Sequence, residues 1–118
     1  MHSASNDCLT VLVVEDMDWI RAGMKKSLTA HGHRVMEATD SEEAISVAES
    51  FHPDLILTEE ELPTFDILIR SIREHPTLGN TSIVIINPDA EEGGSYGDVV
   101  ILTDYSRLKH ILILPRKS

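Results

Sequence analysis

The sequence predicts one α/β domain in which helices cover both faces of a five-stranded parallel sheet, a three-layer α/β/α sandwich. Short apolar segments alternate along the chain with longer segments of helical periodicity, and this alternation is typical of a parallel sheet. The apolar segments are hydrophobic at almost every position instead of at every second one, as in strands buried on both faces. With 118 residues, 42% of them hydrophobic, the chain can form a single buried core.

The first strand and helix occupy the first quarter of the chain. Thr10 to Val14 consists of β-branched residues and leucine, which predicts a strand. The acidic pair Glu15 and Asp16 ends this strand. Apolar residues then recur four positions apart, which predicts a helix from about Asp18 to His31 that ends at Gly32.

The second strand and helix follow the same pattern. Val35 to Ala38 is the second apolar segment. Asp40 and Glu43 have the spacing of a capping box, in which an N-cap side chain and a glutamate three residues later both bind backbone amides. The helix that begins there closes before Pro53.

The middle of the chain predicts two further strands with a short helix between them. Leu55 to Leu57 is the third strand, and the acidic triplet Glu59 to Glu61 follows it almost directly. A short helix ends near His75, and Ser82 to Ile86 forms the fourth strand.

The pattern weakens in the last third of the chain. Residues 88–97 contain proline, adjacent glycines and little periodic apolar content, which predicts a shortened or missing fourth helix. Val99 to Leu102 predicts a fifth strand. The spacing of Leu108 and Ile111 predicts a final helix that Pro115 ends.

Acidic residues mark the candidate site. In a parallel sheet of order 2-1-3-4-5, the ligand crevice lies beyond the carboxyl ends of the first and third strands, where the winding direction reverses. Glu15 and Asp16 would then face Glu59. Crowded carboxylates either bind a hard cation such as Mg²⁺ or Ca²⁺ or retain a proton. The alternative is that they are solvated residues at strand ends, but their position at the reversal point favours a pocket.

Composition excludes several classes of function. The 10 basic and 20 acidic residues give a formal charge of −10, so direct binding to nucleic acid or to an anionic membrane is not expected. The single Cys8 excludes an internal disulfide and predicts a reducing, cytoplasmic location. No signal sequence or membrane-length apolar segment is expected. Residues 1–9 are expected to form a flexible tail, and residues 10–118 the domain.

Other residues receive structural interpretations. The six histidines show no zinc spacing, even at His31 and His33, and are expected at the surface or at helix ends. Trp19 is expected to pack or to contact a partner. Glu60 and Glu61 are interpreted as exposed loop charges in preference to ligands. No glycine-rich phosphate loop follows the first strand, so no organic cofactor is expected.

Taken jointly, these segments resemble the receiver domain of two-component signalling, from Val11 to about Leu114. Residues 11–16 are similar to the family's first strand and acidic pair, residues 31–35 and 38–44 to its first helix end and second helix start, and residues 53–57 to its third strand. The combination is specific, although each motif alone is weak. The resemblance implies a flavodoxin-like or CheY-like fold, a Mg²⁺ site, and a histidine kinase or downstream effector as protein partner.

The chain departs from the family at the phosphoacceptor. Glu59 occupies the position of the acceptor aspartate, four residues before a matching Pro63. The resemblance implies that Asp16, Glu59 and the backbone carbonyl of Glu61 are the cation ligands, with Glu15 as the other half of the acidic pair. The extra methylene of glutamate moves the carboxylate by on the order of 1 Å, and such a displacement can cost about 100-fold in rate. The longer glutamate also fits the octahedral coordination of Mg²⁺ less well, so magnesium binding is expected to be weak or absent.

Three further family positions differ. By the resemblance, Asn87 stands where the family has a switch threonine or serine, Ile101 at the switch aromatic, and Asp104 at the lysine. A carboxylate in place of an ammonium would repel an incoming phosphoryl group. The sequence thus predicts a receiver that is no enzyme beyond weak self-phosphorylation and dephosphorylation, and that serves as a protein-interaction module.

Alternatives stay open at this point. Glu59 could accept phosphate with the help of Mg²⁺, or could imitate a phosphoaspartate, although it carries about one charge against roughly 1.5 to 2 for a phosphoryl group. A third alternative is a flavodoxin-like domain that binds a small ligand. The oligomeric state is open, and a homodimer is among the alternatives.

Overall fold

The computed structural model describes residues 8–59, 64–86 and 100–102, with backbone alone at Glu59, Phe65 and 100–102. The elements in these ranges are β1 (Thr10–Val14), α1 (Asp18–Ala30), β2 (Arg34–Ala38), α2 (Ser41–Phe51), β3 (Leu55–Glu59), α3 (Phe65–Glu74), β4 (Ser82–Ile86) and β5 (Val100–Leu102). The first and fourth strands have the predicted bounds, and the other boundaries move by a few residues.

The strands pair in parallel in the order β2-β1-β3-β4, as predicted. The backbone of β5 lies beside β4, with Ile101 opposite Ile85. The predicted fourth and final helices fall outside the described residues. The order places the carboxyl ends of β1 and β3 side by side, which is where the candidate site was expected.

Helices pack on both faces of the sheet. On one face, α1 contributes Met24 and Leu28, which pack with Val11 and Val13 of β1. On the other face, α2 and α3 pack against the alternate residues of β1. The buried residues of that second cluster are Leu12, Val14, Ala38, Ala44, Ala48, Ile56, Leu68, Ile72, Leu78, Ile83 and Ile85. Each fully buried large aliphatic side chain stabilises the fold by about 1.5–3 kcal/mol, so both faces contribute to stability.

The start of α2 shows the predicted capping pattern with one difference. The Asp40 side chain accepts a hydrogen bond from the backbone N–H of Glu43 at 2.8 Å. The carboxylate of Glu43 accepts from the backbone N–H of Thr39 at 2.7 Å, one residue earlier than in the standard capping box. The two bonds attach the first turn of α2 to the end of β2.

The end of α2 is held in an unusual backbone conformation. His52 has φ 48° and ψ 68°, in the left-handed region, and its N–H donates to the carbonyl oxygen of Ala48 at 2.8 Å. Glycine is the residue that most often occupies this position after a helix, because it has no Cβ to crowd the backbone. The histidine here ends the helix at a conformational cost.

The connection from α3 to β4 is organised by one arginine. Arg73 Nη1 donates to the carbonyl oxygens of Gly79 and Thr81, at 3.1 and 2.6 Å. A Cβ at Gly79 would lie 3.1 Å from the carbonyl oxygen of Arg73. This connection is therefore closely fitted and held by charge-assisted hydrogen bonds.

The residue before the first strand already packs in the core. Leu9, which the sequence analysis placed in the tail, is buried, and its carbonyl oxygen accepts from Arg34 N–H at 2.9 Å. The N–H of Leu9 donates to Nδ1 of His33 at 3.1 Å. His33 is buried, and its N–H donates to the carbonyl oxygen of Leu28 at 3.1 Å, so of the two places expected for the histidines it lies at a helix end and not at the surface. No helix in the described ranges is long and apolar enough to cross a membrane.

Candidate functional site

The turn between β1 and α1 is built around Glu15. Glu15 is only 3% exposed. Its backbone N–H donates to the carbonyl oxygen of Ala38, the last residue of β2, at 3.0 Å and so extends the hydrogen bonding between the two strands. One carboxylate oxygen, Oε2, accepts from the N–H of Met17 at 2.9 Å. Met17 is the N-cap of α1 and supplies no side-chain cap of its own. Glu15 thus provides an acceptor for the turn that leads into the helix, in addition to any role toward a cation.

Arg21 holds the same turn from the helix side. Its Nη1 donates to the carbonyl oxygen of Glu15 at 2.8 Å, and its Nη2 donates to Asp18 at 2.6 Å. Its Nε donates to Glu37 of β2 at 3.3 Å, and Lys25 reaches the other oxygen of Glu37 at 3.2 Å. The hydrogen bond with Asp18, assisted by Glu37, raises the pKa of the Arg21 guanidinium.

The contacts of the Arg21 guanidinium show on which side of β1 it lies. It contacts Glu37 on β2, and β2 lies on the side of β1 opposite to β3. Its three donor nitrogens are directed to the Glu15 carbonyl and to two carboxylates. Arg21 therefore stabilises the turn from the β2 side and does not replace a lysine beside Glu59.

The backbone brings the two acidic strand ends together. Val14 at the end of β1 lies opposite Thr58 of β3, and Thr58 is fully buried. Glu59 is the next residue of β3, and Glu15 and Asp16 follow Val14. Asp16 is exposed. The acidic positions predicted from the sequence thus lie at one edge of the sheet, on its two central strands.

Several predicted positions cannot be placed in the same way. Glu61, Asn87 and Asp104 fall outside the described residues, and Ile101 is described by its backbone in β5. Among the described side chains, which do not include that of Glu59, no group of three or more His, Cys, Asp or Glu residues could hold a metal ion. The atoms that Glu15 and Asp16 could offer to a metal ion are carboxylate oxygens, which suit a hard cation such as Mg²⁺.

The structure adds an exposed apolar pair to the site. Met17 is 48% exposed and Trp19 is 72% exposed, so Trp19 does not pack into the described core. The residues one turn further along α1 are Ala22 and Gly23, which are too small to cover an indole. That spacing is the signal from which the exposure of Trp19 could have been predicted.

A hydroxyl pair near the same edge was not predicted. The Oγ of Ser41 donates to the carbonyl oxygen of Thr64 at 2.8 Å, and the Oγ1 of Thr64 donates to the Oγ of Ser41 at 2.5 Å. The pair joins the start of α2 to the residue before α3. No spacing rule links positions so distant in the sequence, so only the fold reveals it.

A doubly wound parallel sheet of this strand order, with acidic residues at the ends of β1 and β3, is the arrangement expected of a CheY-like receiver domain. The chain belongs to the response regulator receiver domain family, whose family model matches residues 11–94. This result confirms the resemblance to receivers of two-component signalling.

Similar proteins agree with this assignment. The chain is 39% identical over 57 residues to the transcriptional regulatory protein AfsQ1 of Streptomyces coelicolor, a match that covers 48% of this chain and 25% of that protein. The receiver domain of the hybrid histidine kinase CckA is 28% identical, with a TM-score of 0.69 and coverage of 87% of this chain and 94% of that one.

The receiver domain of sensor histidine kinase PA1611 of Pseudomonas aeruginosa has a TM-score of 0.74 at 24% identity, with coverage of 88% and 93%, and supports the fold. That structure has a magnesium ion coordinated in its active site cleft. The chain spans a quarter or less of the length of the curated relatives that it matches.

Proposed function

We propose that this receiver domain works as a protein-interaction module that does not use ordinary aspartyl phosphotransfer. The observation that carries the proposal is the exposure of Met17 and Trp19 beside the acidic turn. Large apolar side chains that stay in contact with water next to a functional edge are typical of protein contact surfaces. The partner would be a histidine kinase or a downstream effector.

The glutamate at the end of β3 supports the second half of the proposal. A carboxylate one methylene longer than aspartate displaces the nucleophilic oxygen by on the order of 1 Å. Asp104, at the family's lysine position by the resemblance, would add negative charge where phosphate must settle. We therefore infer an atypical receiver that is not an enzyme, apart from weak self-phosphorylation at Glu59.

The acidic edge of the sheet would still supply oxygen ligands for a cation. By analogy with the magnesium-bound relative, Asp16, Glu59 and the backbone carbonyl of Glu61 would hold Mg²⁺, with Glu15 fixing the turn that carries Asp16. The cation would neutralise negative charge at this edge of the sheet. Binding would be weak if Glu59 cannot complete the coordination octahedron.

The proposal extends to the remaining architecture. We infer a complete five-stranded receiver sheet, with β5 as its edge strand and a shortened or missing fourth helix in residues 88–97. A shortened helix there would alter the surface available to partners.

Phosphorylation can be tested directly. The purified protein is incubated with acetyl phosphate and Mg²⁺, and acyl phosphate is measured by intact mass spectrometry. The matched comparison is the double variant Glu59→Asp with Asp104→Lys, which restores both family residues. We expect phosphorylation of the double variant to be at least about 100-fold faster than that of the natural sequence. Stoichiometric phosphorylation of Glu59 in the natural sequence would refute the proposal.

Partner binding is tested with a panel of purified histidine kinase domains in surface plasmon resonance. Trp19→Gln should weaken binding at least about tenfold if the indole is an anchor of the interface. Lys26→Gln, an exposed change on the same helix, should leave it unchanged. Equal loss in both variants, or none in either, would contradict the assignment of this surface.

A further inference from the structure

The outer side of β2 carries backbone groups that point away from the sheet. Among the described strands, β2 is at one end of the sheet order and pairs with β1 alone. The N–H of Arg34 donates to the residue before β1, and the carbonyl oxygen of Ala38 accepts from the residue after it, so both of these residues turn their backbone groups toward β1. Backbone groups of successive residues in a strand alternate between its two sides. Val35 and Glu37 therefore direct their N–H and carbonyl groups outward.

The amides on either side of this outward pair already have partners within the chain. The N–H of His33 donates to a carbonyl oxygen of α1 at 3.1 Å, and the N–H of Thr39 donates to a carboxylate of α2 at 2.7 Å. In the described ranges, no residue accepts from the N–H of Val35 or Glu37. The part of the β2 edge that can accept a further strand is thus centred on residues 35–37.

The spacing of the two outward residues is complementary to itself. When β2 of a second copy runs antiparallel, with a two-fold axis at Met36, Val35 of each copy lies opposite Glu37 of the other. Each such pair exchanges two backbone hydrogen bonds, so this register uses every outward N–H and carbonyl group of both residues in both copies. Met36 then meets Met36 of the second copy at the intervening position, where opposite side chains are close. Met36 is half-buried and packs against the core cluster on the α2 side.

The charges of α1 and β2 favour contact between two copies at this edge. The chain has a net charge of −10, so most contacts between copies would bring acidic surfaces together. By contrast, α1 and β2 carry four basic and two acidic side chains. These are Arg21, Lys25, Lys26, Arg34, Asp18 and Glu37. The carboxylate on the edge itself, that of Glu37, is paired with Arg21 at 3.3 Å and with Lys25 at 3.2 Å, so a second copy does not meet an unpaired negative charge there.

There is also room for the helix that a second copy would bring. In the two-fold arrangement, the α1 helices of the two copies lie on the same side of the joined sheet and face each other across the β2 edge. A groove of about 620 Å³ lies there between α1 and β2. It is lined by Ala22, Lys25, Lys26, Thr29, Ala30 and Glu37. The short side chains among them allow two helices to approach within the usual distance of about 8–10 Å.

We propose that this chain forms a two-fold symmetric dimer in which the β2 strands of two copies pair antiparallel around Met36 and join the two sheets. The ladder is short and the interface is small, so we expect a dissociation constant on the order of 10–100 µM. Dimerisation is independent of the proposed function, because Val35, Met36 and Glu37 lie outside the acidic edge.

Sedimentation velocity tests the association, at protein concentrations from about 1 µM to about 1 mM. Val35→Pro removes an outward N–H and no hydrogen bond to β1, and proline is tolerated at such an edge position. It should raise the dissociation constant at least about tenfold. The control Val35→Thr keeps the N–H and the branched shape and should dimerise like the natural sequence. Circular dichroism checks that both variants are folded. A natural sequence that stays monomeric at about 1 mM, or a dimer that Val35→Pro leaves intact, would overturn the dimer.

Exchange of charges at position 36 tests the register without the use of proline. Met36→Lys and Met36→Glu each place two like charges opposite one another on the two-fold axis, which is unfavourable. Each variant alone should be monomeric, and an equimolar mixture of the two should form dimers. Separate variants that still dimerise, or a mixture that stays monomeric while both variants are folded, would show that the two copies do not meet at Met36.

Amide hydrogen exchange measured by NMR at low and at high protein concentration identifies the surface directly. Dimerisation should slow exchange of the Val35 and Glu37 amides at least about tenfold. The inward amides of Arg34 and Met36 are bonded to β1 and should be protected at both concentrations. Slower exchange at high concentration in another part of the chain, with Val35 and Glu37 unchanged, would place the dimer contact elsewhere and refute pairing through β2.

Discussion

Replacing Arg21 with methionine should measure how strongly the acidic turn is held. Methionine retains much of the aliphatic stem and removes every donor. The hydrogen bond from Nη1 to the Glu15 carbonyl is charge-assisted and partly buried, and bonds of this kind contribute about 1.5–3 kcal/mol. The other two contacts are worth less because their acceptors are more exposed.

The contacts of Arg21 with Asp18 and Glu37 contribute less to the free energy of unfolding, because solvent weakens ion pairs between exposed side chains. The Asp18 side chain is 88% exposed, so its pair with Arg21 contributes about 0.3–0.5 kcal/mol. The Glu37 side chain is partly exposed, and its contact contributes about 0.2–1 kcal/mol. We expect Arg21→Met to lower the free energy of unfolding by roughly 2–4 kcal/mol, most of it from the Glu15 carbonyl.

Urea unfolding followed by far-UV circular dichroism provides the assay, at low salt and at about 1 M NaCl, where exposed ion pairs are largely screened. Lys26→Met is the control, because it removes the same charge from an exposed position of α1. Most of the loss in Arg21→Met should persist at high salt. If the loss disappears there, or equals that of Lys26→Met, the hydrogen bond to Glu15 is not what holds the turn.

Three further predictions concern other local interactions, all measured by urea or thermal unfolding. His52→Gly should stabilise the protein by about 0.5–1 kcal/mol, because glycine adopts the observed positive φ without strain; any loss of stability would contradict this account. Arg73→Met should destabilise by about 2–3 kcal/mol because it frees two carbonyl groups, whereas exposed Arg70→Met should have little effect, and similar losses would show that the contacts are dispensable. Glu43→Ala should cost about 1 kcal/mol through lost capping, and exposed Glu42→Ala serves as its comparison; a larger loss from Glu42→Ala would refute the capping role.

The strands could be predicted from the sequence because they are buried on both faces. Ser82–Ile86 and Thr10–Val14 were placed correctly, since neither segment contains a charge and each ends at a polar or acidic residue. The parallel direction of the strands then follows from the helices between them, whereas their order is that of the doubly wound fold. The position of the acidic residues at one sheet edge could be predicted for the same reason.

The contacts within the candidate site could not be predicted. The hydrogen bond from Met17 to Glu15 depends on the geometry of a turn, and the Ser41–Thr64 pair depends on how two helices approach each other. The burial of His33 was missed because a polar residue before a strand usually faces solvent, whereas here it accepts from the backbone of Leu9. Such interactions depend on tertiary packing and leave no periodic signal.

The alternation of β1 between the two faces has a consequence for folding and evolution. Successive residues of this strand serve opposite half-cores, Val11 and Val13 toward α1, Leu12 and Val14 toward the other helices. Neither half-core can form without the strand that both share, so the two layers should gain their structure together. A single-residue insertion in β1 would exchange the partners of every later side chain in the strand, which makes this segment far less tolerant of length changes than any surface loop.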